Sequence, residues 1–202
     1  ESDIRGPADF EGKRIPVKNA DWDSIITRAV INSGGDPGKL HKVRDFGGIS
    51  DFYTGRFEVW TGYVQDEPVE ARMAGYDIRE IFAFDYGVGC YQGLIVARRE
   101  MLRDKPEVVR AFLCASLLGW NRALENPETA LDAILANAPG LSLAFQRESM
   151  ERITPFVSSG RAPIGLIERD KWLNSCKLWD IPGDSAAAET EFVEDFYGMN
   201  RF

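Results

Sequence analysis

The sequence predicts an α/β unit followed by a helical portion, and three observations support this. Before residue 98, short β-prone segments alternate with amphipathic helical patterns, which is typical of a sheet covered by helices. Beyond that point, apolar residues recur only at helical spacing. The 202 residues are 44% hydrophobic and 28% charged, which is enough for a buried core. We therefore predict an α/β domain over residues 1–103 and a helical domain over residues 104–202.

Composition excludes several classes of protein. The apolar content is too high for a disordered chain, and no apolar run approaches the roughly 20 residues of a membrane span. A net charge of -8 argues against a nucleic-acid partner, because phosphate binding needs clustered Lys and Arg. The three cysteines, Cys90, Cys114 and Cys176, are too scattered for a zinc or redox motif and allow at most one disulfide. The single histidine, His41, is predicted to be a solvated strand-edge residue.

The first elements are a strand and a helix. Residues 14–17 form a predicted strand, and Pro16 favours an edge position because proline cannot donate to a ladder. Apolar residues then recur at helical spacing over residues 22–30, with Asn19 or Asp21 as the predicted cap. The other predicted elements of this half are strands over 40–44, 57–61, 78–84 and 94–97, and helices over 49–54 and 67–74.

The second half shows repeated helix-start signals. Asp104-Lys105-Pro106-Glu107 combines a capping Asp104, a first-turn proline and an acid, and predicts a helix of several turns. Asn126 and Ser142 are the predicted caps of the next two helices. Further helices are predicted over 168–178 and 186–197, and the helix-phase tryptophans Trp120, Trp172 and Trp179 are predicted core residues.

The segment from Trp60 to Pro68 is the strongest candidate for a binding site. It follows a predicted strand and precedes a predicted helix, which places it at the carboxyl end of the sheet, where open α/β sheets bind ligands. Trp60 and Tyr63 offer aromatic faces, and Asp66 and Glu67 offer hydrogen-bond acceptors. This combination predicts a site for a flat, polar heterocycle.

Three more aromatic residues are candidates for the same site. Tyr86 and Tyr91 lie in a segment that follows the next predicted strand, and Trp22 follows the first. The alternative for each aromatic residue is core packing, which the helical phase of Trp22 favours. No nucleophile elbow accompanies His41, and no phosphate loop is complete. We predict no catalytic residue, no metal site and no cofactor.

Several motifs carry a family resemblance. Residues 7–17 resemble the segment that leads into the second lobe of periplasmic binding proteins. Residues 63–68 are similar to the Y-x-x-N-E-P motif of the thiamine-pyrimidine-precursor-binding, thiamine biosynthesis-like family. Residues 85–91 resemble its D-Y-G-V-x-F-Y motif, and residues 106–127 resemble its P-E-x-V helix. The resemblance covers nearly the whole chain.

The resemblance implies a periplasmic-binding-protein-like (type II) α/β lobe with C-terminal helices. By the same resemblance, the chain is expected to be the second lobe and the helices that return to a first lobe, which is missing from this segment. Apolar side chains that the first lobe would cover, namely Val109, Phe112, Leu113 and Trp120, are then expected to be partly exposed. Such a surface would favour a dimer through these helices.

The resemblance also implies a function. It points to a non-enzymatic solute-binding protein of an ABC importer, located in the periplasm or outside the cell, with a lipid anchor as one option. Such a protein closes two lobes around a heterocycle such as a thiamine pyrimidine precursor. Its partners would be the membrane subunits of the transporter. Two alternatives stay open: the sensory input domain of a membrane signalling protein, and a pyrimidine-synthesis enzyme. The enzyme is disfavoured because the clustered cysteines of enzymatic relatives are absent here.

Residue roles follow from the same resemblance. Tyr63 would stack on the ligand with Trp60 or Tyr91, and Asp66 and Glu67 would bind its polar edge, with Tyr86 as a hydroxyl contact. Asp66 stands where the family usually has Asn, and a carboxylate only accepts hydrogen bonds whereas an amide also donates. The identity of the heterocycle is therefore left open.

Overall fold

Two short parallel strands and the helix between them organise the first part of the protein. The structure, a computed structural model, describes residues 2–182 and 188–199. Strand β1 (Arg14–Pro16) pairs in parallel with β2 (His41–Val43), so that Arg14 lies opposite His41. Helix α1 (Ala20–Asn32) connects them, and this β-α-β arrangement confirms the two predicted strands and the predicted helix.

The outer edge of β1 explains why residues 57–61 do not form the predicted third strand. The Arg14 N–H donates to Glu58 Oε2 at an N···O distance of 2.9 Å, so a carboxylate takes the place of a ladder carbonyl. Pro16 has no N–H to donate, and its carbonyl accepts from the Thr61 hydroxyl at 3.4 Å. The segment therefore lies beside β1 through side-chain hydrogen bonds, and the strand prediction is wrong.

Two other strand predictions are also wrong. Within residues 78–84, Ile81 packs against the core, but the chain continues into a 3-10 turn over Ala83–Tyr86 and pairs with no strand. Residues 94–97 are exposed and have no strand assignment. Apolar runs of this kind indicate a tendency to be buried, whereas a strand also needs a partner edge. In the described part of the chain, the sheet has two strands where the sequence predicted five.

Helix α1 buries two adjacent faces. The Asn19 side chain accepts from the Trp22 N–H and caps the helix, as predicted. Ile26 and Val30 enter one hydrophobic cluster, and Ile25 and Ala29 enter the other. The first cluster also contains Ile4, Phe10, Ile15 and Val17, and the second contains Val88, with Leu178 and Trp179 packed against it.

Helices make up most of the remaining structure. They are α2 (Ser50–Tyr53), α3 (Glu67–Met73), α4 (Arg99–Asp104), α5 (Pro106–Glu125), α6 (Pro127–Asn137), α7 (Leu143–Val157), α8 (Arg169–Leu178) and α9 (Glu191–Tyr197). The predicted caps at Asn126 and Ser142 are confirmed, since each side chain accepts from a backbone N–H in the first turn of its helix. The start of the helix predicted over 186–197 includes residues 186 and 187, which lie outside the described residues.

Helix α4 was not predicted, and it changes the role of Asp104. Asp104 is the last residue of α4, and its carboxylate forms an ion pair with Arg103 at 2.7 Å. Lys105 therefore takes the cap position of α5 and makes no capping side-chain hydrogen bond. The prediction that Asp104 caps the long helix is wrong, because a neighbouring guanidinium competes for the same carboxylate.

The chain divides into two compact units, Glu1–Cys90 with Asn174–Ile181, and Tyr91–Leu173 with Pro182–Phe202. The first division falls after Cys90, earlier than the boundary predicted at residue 103. The assignment of these parts to a ligand-binding lobe and to returning helices stays a prediction.

In the second unit, α5 is held by its neighbours on one side. Arg110 pairs with Asp195 of α9 at 2.7 Å, and Asn121 donates to the Tyr197 hydroxyl at 3.0 Å. On the other side Phe112 is 62% exposed and Trp120 is 41% exposed. The core position predicted for Trp120 is therefore wrong, because helical phase alone does not decide burial. The partial exposure expected for Trp120 and Phe112 agrees with the structure, as does that expected for Val109 and Leu113. Trp172 and Trp179 are half-buried.

Glu58→Gln tests the side-chain closure of the β1 edge. The hydrogen bonds donated by the Arg14 side chain lower the pKa of Glu58 from 4.5 to about 2. The ionised Glu58 therefore stabilises the folded state fully above pH 4.5, and this contribution to the unfolding free energy declines as the pH falls towards 2. We expect the variant to lose about 1 kcal/mol of unfolding free energy at neutral pH, since solvent screens this part-exposed pair.

Urea unfolding of the wild type and the variant at neutral pH and at about pH 3 measures this effect. The difference between the two proteins should shrink at the lower pH, whereas Glu100→Gln, a change at an exposed residue of α4, should leave stability unchanged at both. A difference that stays constant with pH would show that the carboxylate does not hold the edge.

Candidate functional site

The candidate site forms where the chain leaves β1. Lys18 follows the strand, and the cap at Asn19 places Trp22 in the first turn of α1. The segment that leads into α3 brings Tyr63 against this turn: the Trp22 and Tyr63 ring centroids are 5.4 Å apart, with 63° between the ring planes. Edge-to-face contacts of this kind hold an aromatic ring at a fixed angle.

Glu67 is the polar centre of the site. Its Oε2 accepts from the Tyr63 N–H at an N···O distance of 2.9 Å, and its Oε1 forms an ion pair with Lys18 Nζ. The side chains of Lys18 and Glu67 are only 25% and 15% exposed, so water screens this pair less than it screens a surface pair. A Cβ on Gly62 would lie 2.5 Å from Oε2, and the glycine is therefore what lets the carboxylate fold back over the chain.

Two indole rings flank the Lys18 ammonium. Nζ lies 5.7 Å from the Trp22 ring centroid and 5.8 Å from that of Trp60, within the range of a cation–π interaction. Trp60 is itself held edge-on by Phe46 and Phe57, at centroid distances of 5.7 and 5.6 Å. Its Nε1 is buried and has no hydrogen-bond partner among the described residues, so the cluster contains an unused donor.

Five of the seven predicted site residues thus lie in one segment or in contact with it. Trp22, Trp60, Tyr63 and Glu67 share contacts through Lys18 or with each other. Asp66 precedes Glu67 at the cap position of α3, where its exposed side chain makes no capping hydrogen bond. Tyr63 is 45% exposed and presents part of its ring to solvent. The ligand-binding role of these residues stays a prediction.

The structure does not bring Tyr86 to this cluster. The Tyr86 carbonyl accepts from Asn32 Nδ2 at 2.7 Å, at the far end of α1. Ten residues of helix separate Asn32 from Trp22, a distance of about 15 Å along the axis. Tyr86 packs against the cluster of Ile25 and Ala29, which is a packing role.

Tyr91 belongs to the second unit, where it contacts Glu168 and Lys171. The Tyr91 hydroxyl accepts from the Glu168 N–H at 2.8 Å, and Lys171 Nζ lies 4.6 Å from its ring centroid. Burial raises the pKa of the Tyr91 hydroxyl. These contacts give the residue a structural explanation that needs no ligand.

Lys18 is the residue that sequence reasoning missed. The signal was present, since Lys18 follows a strand and precedes a helix cap, which is the same rule that selected residues 60–68. An isolated lysine is common on surfaces, however, and its contact with Glu67 joins positions 49 residues apart. Only folding shows that its ammonium lies between two tryptophans.

Two further observations concern the described residues as a whole. Within residues 2–182 and 188–199, no group of three or more His, Cys, Asp or Glu side chains could hold a metal ion. In the same residues, no helix combines the length and apolar character needed to cross a membrane.

An α/β unit with aromatic and carboxylate side chains at the carboxyl end of a strand is typical of a small-molecule-binding domain. The chain belongs to the NMT1/THI5-like family, whose model matches residues 1–130. This match confirms the resemblance that the motifs indicated.

Two relatives have names that state a ligand. The chain is 27% identical over 182 residues to the formylaminopyrimidine-binding protein of Halalkalibacterium halodurans, an alignment that covers 85% of this chain and 54% of that protein. It is 33% identical over 98 residues to the riboflavin-binding protein RibY of Chloroflexus aurantiacus, covering 47% of this chain and 28% of that protein. The chain therefore spans about half the length of the first relative, and its alignment with the second covers less than a third of that protein.

Gly62→Ala tests whether the glycine positions Glu67. The added Cβ would also lie 2.9 Å from the Cβ and Cδ atoms of Glu67, so the carboxylate must move away from the Tyr63 N–H. We expect a loss of about 1–3 kcal/mol in unfolding free energy, the usual cost of overpacking. Urea unfolding measures it, with Gly89→Ala as the control because a Cβ there meets open space. Equal stability of the two variants would contradict the proposed packing.

Proposed function

We propose that this protein is a solute-binding protein that holds a small nitrogen heterocycle at the cluster of Trp22, Trp60, Tyr63 and Glu67. The observation that carries the proposal is the pairing of a part-exposed Tyr63 ring, held at a fixed angle by Trp22, with a part-buried carboxylate four residues along the chain. Flat polar ligands are bound by this combination of a stacking face and a few fixed polar groups.

The polar groups favour a ligand with N–H donors on one edge. The carboxylates of Glu67 and Asp66 can only accept hydrogen bonds. Trp60 Nε1 is a buried donor, without a partner among the described residues, that a carbonyl or ring nitrogen of the ligand would reach only if the Trp60 ring turned. An aminopyrimidine offers both kinds of group, which agrees with a relative named as binding a formylaminopyrimidine.

Both relatives carry the names of binding proteins and not of enzymes, which supports binding as the whole activity. His41 is exposed on β2, so it lies in no enclosed site. On the family resemblance alone, we propose that the partners are the membrane subunits of an ABC importer. Location outside the cytoplasm, a lipid anchor and closure of a second lobe over the ligand are proposals of the same kind.

Thermal denaturation with and without ligand tests the binding proposal. A ligand at about 100 times its dissociation constant stabilises the folded state by roughly 2.7 kcal/mol. We expect formylaminopyrimidine, an aminopyrimidine or riboflavin to raise the Tm by roughly 5–10 °C in a chain of this size.

Glu67→Gln should weaken that binding about tenfold or more, because a charge-assisted hydrogen bond is replaced by a neutral one. Glu70→Gln, an exposed position on the same helix, is the matched control and should bind as the wild type does. If none of these heterocycles moves the Tm, the ligand class is wrong. If Glu67→Gln binds normally, the site is wrong.

A further inference from the structure

The Lys18 ammonium occupies a site with three walls. Two walls are the indole rings of Trp22 and Trp60, and the third is the carboxylate of Glu67. Aromatic faces and a carboxylate around one cation form the arrangement by which proteins bind ammonium and amino groups of ligands. The protein's own side chain fills it here.

We propose that Lys18 is an internal ligand, whose ammonium holds the subsite that the amino group of a bound heterocycle takes. This inference rests on the proposed function, and it names the part of the ligand that the site recognises. Displacement of Lys18 then becomes a step in binding.

The geometry of Glu67 makes the competition direct. Its Oε2 is held by the Tyr63 N–H, so Oε1 is the oxygen that faces the ammonium. A ligand amine that approaches Oε1 meets the position of Nζ and the same ring faces. A group that donates N–H bonds to the carboxylate can replace the hydrogen bonds of the ion pair, so that the part-buried oxygen keeps a donor when the ammonium leaves.

The selection of ligands follows from this replacement. A heterocycle with an exocyclic amine restores a donor to Glu67 when Lys18 leaves. An analogue with a methoxy group at the same position has no N–H to donate, so it brings two acceptors together and leaves the carboxylate without a donor. Lys18 is therefore a specificity-determining residue. Every ligand must supply the free energy that displaces Lys18 from Glu67, and only an amino-bearing ligand recovers it through new hydrogen bonds.

A second ion pair in the same unit offers a matched control. Lys42 pairs with Asp23 and donates to the Thr27 hydroxyl at 2.8 Å, with partial burial similar to that of the Lys18 pair. In the described part of the chain, its ammonium lies over no aromatic ring. Lys42→Met therefore removes a positive charge from a carboxylate that still pairs with Arg44 at 3.4 Å, and it leaves the aromatic cage (Trp22, Trp60 and Glu67 around Lys18) unchanged.

The first experiment asks whether the emptied cage binds an ammonium ion. Propylammonium chloride is titrated into the wild type, Lys18→Met and Lys42→Met, with sodium chloride at equal ionic strength as the reference, and the Tm is measured. We expect a saturable rise of a few degrees in Lys18→Met alone. Equal Tm shifts in all three proteins would show that the ammonium ion does not bind between Trp22, Trp60 and Glu67, and would overturn the proposal. If Lys18→Met lacks a cooperative transition, we expect propylammonium, and not sodium at equal ionic strength, to restore it, and failure to do so would overturn the proposal.

The second experiment asks whether Lys18 competes with the ligand. Calorimetric titration compares 4-aminopyrimidine with 4-methoxypyrimidine, which has no N–H donor, on the wild type and Lys18→Met. We expect the amine to bind about fivefold to tenfold more tightly to Lys18→Met, because it no longer has to displace the ammonium, and the methoxy analogue to gain nothing. Weaker binding of the amine by Lys18→Met would show that Lys18 contacts the ligand, and would overturn the proposal. If propylammonium raises the Tm of Lys18→Met while neither protein binds 4-aminopyrimidine, the ammonium site is supported and the proposed function is wrong.

Discussion

Burial of β1 against α1 is the interaction on which the rest of the first unit depends. Ile15 on the strand and Val30 on the helix are both completely buried, in one cluster. Because this contact fixes the strand relative to the helix, it also fixes the short connection between them. That connection carries Lys18 and the cap Asn19, and it leads to Trp22. The core therefore positions Lys18 and Trp22, and residues 60–67 supply the other three contacts of the candidate site, Trp60, Tyr63 and Glu67.

Proline in β1 has consequences beyond the strand. Because Pro16 cannot donate on the outer edge, the neighbouring segment bonds to β1 through the side chains of Glu58 and Thr61. Because side chains hold this segment, its backbone does not have to follow the regular geometry of a β-strand. Trp60 can therefore lie against Lys18 while Phe57 is buried. The same feature that ended the sheet thus shaped one wall of the cage.

Local signals predicted the helices well, because each helix satisfies its backbone within its own segment. The caps at Asn126 and Ser142 were predicted, and Asn19 is one of the two caps predicted for α1. The strand predictions over 57–61, 78–84 and 94–97 were wrong, since a strand exists only where another edge meets it. The prediction that Trp120 is a core residue was wrong for a related reason. Its position on the helix was read correctly, but its burial depends on which element covers that face.

The sequence by itself determined the family and the order of β1, α1 and β2, and it selected Trp60, Tyr63 and Glu67 as candidates, because motifs and caps are properties of neighbouring residues. Tertiary structure decided which candidates meet. It brought Trp22 to Tyr63 and gave Tyr86 and Tyr91 other contacts. It also placed Lys18 on Glu67 across 49 positions, since an ion pair between two indole rings requires that separate segments converge in space.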